Sequence, residues 1–383
     1  MVALLRLPPG SLVLEPCAGR GHFLPPLLDA GYQVHALEVS ADSVDYLSKS
    51  YGKRVVVQHG DFLRLSMPDL LTSSGLFPGT FDGVVANPPY GMYLEPSARK
   101  SFRDALGGFY SRETYALFLR LAGDLLRKGG RLVFITPDTF LTSNLHKGLR
   151  KYLFTQFHDV EFTSFPSDFF PGVNYGYGKM CITAATKGAP ATNQTVRLCS
   201  LESSDGVESL RDAKACRTRA TVVPISSILA TDDFQVVSTE RFLGGDYHSW
   251  PTLGELADCR TGIYSGDNQR FHRYQKELLK VRGVGQPLDW SKVRSGKSLT
   301  EQERMCGVSG PQHYVPLAKG GHKPLMMPET WAIDWSVDAV NYYRTDAKAR
   351  FQNSEFYFRR GLAVPMVTSG RCTSSAILAI FAA

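Results

Sequence analysis

No apolar run in this chain approaches the roughly 18 residues that a membrane-spanning helix needs, so a membrane-embedded protein is not expected. Cysteine pairs at C-x-x-C spacing are also missing. The seven cysteines, Cys17, Cys181, Cys199, Cys216, Cys259, Cys306 and Cys372, are scattered and odd in number. That pattern argues against a disulfide framework and against a zinc site, and the expectation is reduced thiols with no metal. The N-terminal residues carry no basic segment ahead of an apolar stretch and no small-residue cleavage site, so no signal peptide is expected and the cytoplasm is the default compartment. The G-x-G-x-x-G fingerprint is absent, which disfavours a dinucleotide oxidoreductase. Internal repeats and low-complexity tracts are likewise not evident.

What remains is an ordinary folded composition. The 383 residues are 43% hydrophobic and 21% charged, enough chain for two domains with a core in each. In the first half, short β-branched runs alternate with amphipathic segments, the pattern of a parallel sheet covered by helices. Strands are expected over residues 12–15, 33–37, 54–58, 81–86, 131–136, 160–165 and 179–185. The strongest helix is expected over residues 114–128, where Tyr115, Phe118, Leu119, Ala122, Leu125 and Leu126 share one face before Gly129-Gly130. No convincing helix joins the last two strands, so an antiparallel hairpin at the sheet edge is expected across residues 167–177. A small, polar stretch from Lys187 to Asn193 reads as an interdomain linker, which divides the chain into residues 1–190 and 191–383.

The second half has weaker periodicity, and pattern alone assigns it no fold. Between Arg270 and Lys323 it carries 11 Lys or Arg against 4 Asp or Glu, interleaved with Phe271, Tyr274, Trp290 and Tyr314. Phosphate contact with base stacking would use that mixture; a solvated surface with a few core aromatics would show it too. The net charge of +7 permits an anionic partner without demanding one.

The chemistry-bearing residues fall at successive strand ends. Glu15, Pro16, Cys17, Gly19 and Gly21 follow the first strand, where glycines allow a ligand to approach the backbone. Glu38 ends the second strand, placed to accept from ribose hydroxyls. Asp61 and Phe62 follow the third and offer a carboxylate for an exocyclic amine and an apolar ring. Each has a plain structural reading as a turn, a solvated carboxylate or a core ring. Asn87-Pro88-Pro89-Tyr90 follows the fourth. Two prolines remove two N–H donors, so the carbonyls of Asn87 and Pro88 face outward without a ladder. Held by the Asn87 amide oxygen and the Pro88 carbonyl, with its ring stacked on Tyr90, a planar amine would have its lone pair drawn out of conjugation. A proline-rich turn is the plain alternative.

Over roughly residues 12–190 these motifs together resemble DNA adenine-N6 methyltransferases of the TaqI-like and Eco57I-like branch, which includes phage-exclusion methylases. The resemblance rests on Leu14 to Gly21, Glu38, Gly60-Asp61-Phe62, Asn87 to Gly91, the helix from Tyr115 to Ala122, and Phe169-Phe170-Pro171-Gly172-Val173. It implies an α/β, class I methyltransferase fold, a doubly wound seven-stranded sheet whose last strand is antiparallel, followed by a C-terminal DNA target-recognition domain. It implies S-adenosyl-L-methionine as cofactor, bound by Glu15, Pro16, Cys17, Gly19, Gly21, Glu38, Asp61 and Phe62, with Phe118 packing nearby. Asn87, Pro88 and Tyr90 would hold a flipped adenine and Phe170 would close its other face. Double-stranded DNA is the implied partner, alongside a separate restriction endonuclease or defence subunit.

Trp335 and residues 351–361 look like the recognition region of the same branch. Relatives carry a segment ahead of the Glu-Pro motif, whereas about a dozen residues precede Glu15 here, and they continue past the apolar end at Ala376–Ala383. A fragment of a longer gene would show both features. The alternatives are methylation of exocyclic amines in RNA or of a release-factor glutamine, which use the same tetrapeptide logic, and a DNA-binding remnant without activity. His22, His35 and His59 are expected to be structural.

Overall fold

The computed structural model describes residues 1–67, 74–170, 178–191, 193–230, 233–234, 236, 251, 253–277, 285–318, 330–359, 361–363, 375–377 and 380–381. The chain forms two compact units, Met1–Tyr247 and His248–Ala383.

The first unit is built on a sheet of nine strands: β1 (Leu12–Glu15), β2 (Gln33–Glu38), β3 (Val55–His59), β4 (Phe81–Ala86), β5 (Leu126–Pro137), β6 (Phe157–Pro166), β7 (Lys179–Lys187), β8 (Thr195–Ser200) and β9 (Thr221–Pro224). Their order is β3-β2-β1-β4-β5-β7-β6-β8-β9. Strands β1 to β5 are mutually parallel, while β7 runs antiparallel to both β5 and β6. The α/β fold and the antiparallel seventh strand expected from the sequence are therefore present. β-Branched runs such as Val55-Val56-Val57 and Gly83-Val84-Val85 read as strands because a parallel sheet is covered on both faces.

Alternation along β1 sends Leu14 into one core and Val13 into the other. The first core receives Leu117, Leu121 and Leu125 of α5 (Thr114–Leu125) and Leu149 and Leu153 of α6 (Lys147–Gln156). The second receives Leu24 and Leu27 of α1 (Leu24–Asp29) and Leu47 of α2 (Ala41–Tyr51). The first core also takes Phe62 and Leu63 of α3 (Phe62–Leu65), and Phe102 of α4 (Pro96–Ala105) packs against it.

Four expectations are corrected. The sheet has nine strands, not seven, because β8 pairs in parallel with β6 and β9 pairs antiparallel with β8. For the same reason the β6–β7 pair lies inside the sheet rather than at its edge; residues 171–177 of its connection lie outside the described residues. The polar stretch after Lys187 is the turn into β8, with the Gly188 N–H donating to the Gln156 carbonyl at 2.8 Å. The division of the chain accordingly falls after Tyr247 and not at residue 190. Composition cannot distinguish a polar turn within a sheet from a linker. Helix α5 also ends three residues early, at Leu125, because Leu126 already pairs with Phe81 of β4.

The second unit contains a five-stranded sheet of β10 (His272–Gln275), β11 (Gln286–Leu288), β12 (Tyr314–Ala318), β13 (Trp331–Asp334) and β16 (Ile380–Phe381), and a separate pair, β14 (Gly361–Ala363) with β15 (Ser375–Ile377). Trp335 is fully buried at the centre of its core. Its indole N–H donates to the Glu303 carbonyl at 3.0 Å, and Phe351, Tyr357 and Phe358 ring it.

Candidate active site at the carboxyl ends of the parallel strands

Parallel pairing puts the carboxyl ends of β3, β2, β1 and β4 side by side along one edge, and with them Asp61, Glu38, Glu15 and Asn87. The chain winds outward from β1 through β2 to β3, then returns to start β4 on the other side of β1. That reversal is a topological switch point, where the loops diverge and leave a crevice.

On the β1 side, Glu38 organises the glycine-rich turn. Its Oε2 accepts from the Gly19 N–H at 2.7 Å and its Oε1 from the Ser40 N–H at 2.9 Å. Each oxygen keeps capacity for a further donor. Gly19 has φ +55° and nothing within 4 Å of where a Cβ would stand, so open space faces this turn. Gly21, at φ +79°, is closed instead, since a Cβ would lie 2.7 Å from Leu47. Glu15 is 2% exposed and its Oε2 has no hydrogen-bond partner. Burial, reinforced by neighbouring Glu38, pushes its carboxyl up to about 8. A cation placed there would recover what burial costs. The backbone of Asn87 faces the Cys17 thiol, so the β4 turn adjoins the β1 turn, while burial first and Glu15 second push that thiol up.

On the β4 side, Asn87 is exposed, Pro88 buried and Tyr90 half-buried. The Tyr90 hydroxyl lies against Oδ1 of Asn87 and 2.9 Å from the Ile135 carbonyl at the end of β5. Phe170 follows β6 at the same edge, its ring edge-on to Phe165 at 6.0 Å. Tyr90 and Phe170 both pack on the second core.

Asp61 is exposed and caps α3, accepting from the Leu63 N–H at 3.0 Å. Phe62, expected to offer an apolar ring, is 1% exposed and stacked on Phe118 with ring centres 5.2 Å apart, an apolar floor adjoining Asp61 in the chain. His35 bonds the Gln58 side chain, His59 the Val39 carbonyl, and His22 is exposed.

Sequence reasoning missed the support under the Asn87 turn. The Thr114 hydroxyl donates to the Pro89 carbonyl at 3.2 Å, and the Tyr115 hydroxyl meets His146 Nε2 at 2.9 Å. Thr114 is the first residue of the helix expected over 114–128, and His146 stands 31 residues from Tyr115, beyond the reach of local pattern. In the second unit, Phe271 is core rather than surface, while Arg270, Lys276, Lys292 and Lys297 are exposed. A separate cavity of about 290 Å³ in the first unit is lined by Glu161, Arg197, Cys199 and Arg217, and none of the sequence-predicted site residues borders it. Among the described residues no cluster of His, Cys, Asp and Glu suits a metal, and no helix is long and apolar enough to cross a membrane.

Residues 55–170 match the family model of the Eco57I restriction-modification methylase, so the resemblance read from the motifs is borne out over that segment. The chain is 30% identical over 167 residues to the type II methyltransferase M.TthHB8I of Thermus thermophilus, a match covering 40% of this chain and 35% of that one. It is 25% identical over 160 residues to the type II methyltransferase M.HincII of Haemophilus influenzae, covering 40% and 28%. The chain thus spans about a third of the length of these relatives. Two solved structures share the fold with a TM-score of 0.50 each. One is a modification subunit assigned to a type I restriction enzyme of Vibrio vulnificus, at 14% identity over 62% of this chain and 56% of that one. The other belongs to a type I restriction-modification system, at 18% identity over 67% and 59%.

Proposed function

We propose that this chain is a DNA methyltransferase of a restriction-modification or phage-defence system, transferring the methyl group of S-adenosyl-L-methionine to N6 of an adenine flipped out of double-stranded DNA. The observation that carries the reading is the adjacency of two half-sites at the switch point. Glu15, Gly19 and Glu38 stand on one side, Asn87 to Tyr90 on the other, and the Cys17 thiol faces the Asn87 backbone between them. The type II methyltransferase relatives support the reaction class.

The residues present suit the cofactor. The unpartnered Glu15 oxygen matches a cationic methionine moiety, and the open side of Gly19 lets a ligand lie against the backbone. Glu38 would accept from ribose hydroxyls, and Asp61 from an exocyclic amine above the Phe62 and Phe118 floor. When bound, S-adenosyl-L-methionine supplies a methyl already activated by a sulfonium, so the protein needs positioning more than a strong base.

Flipping the nucleotide costs roughly a few kcal/mol. Stacking between Tyr90 and Phe170, at on the order of 1–3 kcal/mol per ring, offsets it. The Asn87 amide oxygen and the Pro88 carbonyl then accept from the adenine amine, turning its lone pair toward the methyl. The departing proton passes to solvent beside exposed Asn87. The first unit is the catalytic part in this reading, and the basic, aromatic-bearing second unit contacts DNA; a separate nuclease or defence subunit is the further partner.

The purified chain should transfer tritiated methyl groups to duplex DNA and leave N6-methyladenine in a fixed sequence context. Transfer only to RNA or to a release factor would replace the substrate, and no binding of S-adenosyl-L-methionine at millimolar concentration would mark a DNA-binding remnant.

A further inference from the structure

Two consecutive prolines remove two of the N–H donors by which a loop normally fastens itself, so the Asn87 turn leans on its carbonyls. One of them is held from α5. The Thr114 hydroxyl donates to the Pro89 carbonyl at 3.2 Å, the Thr114 N–H reaches the Met92 carbonyl at 3.3 Å, and Glu113 forms an isolated antiparallel bridge with Tyr93. Thr114 is the first residue of its helix, so its hydroxyl has no carbonyl one turn back to bond and is free to reach across.

The helix start is itself pinned from below. Tyr115 is fully buried, its hydroxyl 2.9 Å from Nε2 of His146, and a Glu113 carboxyl oxygen lies 3.9 Å from that nitrogen. Burial, with Arg150 nearby, lowers His146 to about 4, so the imidazole is neutral at ordinary pH. The buried Tyr115 and His146 pair, with Glu113 beside it, anchors the first turn of α5.

We propose that Thr114 is a positioning residue of the Asn87–Tyr90 turn, its hydroxyl setting the Pro88 and Pro89 peptide planes, with Glu113, Tyr115 and His146 holding Thr114 in place. The inference deepens the methyltransferase reading and rests on it for its kinetic part alone. Valine keeps the shape and removes the donor, alanine removes both, and serine keeps the donor.

The full chain and its Thr114→Val, Thr114→Ala and Thr114→Ser variants are compared by hydrogen–deuterium exchange, by methyl transfer to duplex DNA, by cofactor titration and by melting. In the valine and alanine variants, amides of residues 90–93 should exchange at least about fivefold faster while those of β4 stay unchanged. Their kcat should fall by roughly ten- to a hundredfold at unchanged cofactor affinity. Serine should restore wild-type exchange and most of kcat. Unchanged loop exchange in both Thr114→Val and Thr114→Ala, or a serine variant as perturbed as valine, overturns the proposal. A wild-type chain that transfers no methyl defeats the functional reading instead, and the exchange measurement still decides the role of Thr114.

Discussion

Glu15 is the residue where structure and chemistry are most tightly linked. Its folded carboxyl holds a proton up to about pH 8, whereas the ordinary value is 4.5. Folding therefore takes up a proton between those values, and stability of the ligand-free protein falls as pH rises through that window, by on the order of 1 kcal/mol per pH unit. His146 acts with the opposite sign. It is neutral in the folded state down to about 4 and protonated in the unfolded chain below 6.5, so its contribution rises with pH between those values. The two slopes oppose one another below pH 6.5 and leave Glu15 to dominate from 6.5 to 8. Glu15→Gln should raise the melting temperature of the ligand-free protein at pH 8 relative to pH 6.5 and weaken cofactor binding at least about tenfold. A pH profile identical to wild type by calorimetry would contradict the assignment. Asn87→Ala separates binding from chemistry. Exposed and outside the cofactor turn, it should cost methyl transfer at least about a hundredfold while a cofactor titration changes less than about threefold.

At the scale of elements, packing overrides propensity. Gly123 lies inside α5, where alanine is ordinarily the better helix former by roughly 1 kcal/mol. Here a Cβ would stand 2.5 Å from the Tyr152 hydroxyl and 2.9 Å from Phe157. Gly123→Ala should therefore destabilise the first unit by about 1–3 kcal/mol, read as a lower urea midpoint. The same tension explains what the sequence revealed of each element. All seven strands expected in the first 190 residues exist, within a few residues of their ends, because buried parallel strands and flanking turns leave a local signature. The end of α5 was misread because Leu126 keeps the helical spacing while pairing with Phe81. Strand β8 was missed because Thr195-Val196-Arg197-Leu198 follows a polar stretch that reads as a linker and acquires its place only by pairing with β6, about 35 residues earlier.

For the whole molecule, the consequence is where the first unit ends. Strands β8 and β9 cover the free side of β6 and bury Val196, Cys199, Leu201 and Ile225. A fragment of residues 1–247 should unfold cooperatively in denaturant, whereas residues 1–190, with β6 left as a bare edge and those side chains gone, should aggregate or melt at least about 10 °C lower.

The sequence by itself determined the alternating α/β order and the residue types at four strand ends, since both follow from local hydrophobic period and from turns that need glycine or proline. Only the tertiary structure decided that these ends adjoin at one switch point, that Phe62 stacks on Phe118 in the core, and that Thr114, Tyr115 and His146 brace the Asn87 turn. Such facts depend on strand order and on contacts between residues tens of positions apart, and no local pattern encodes the pairing that brings them together.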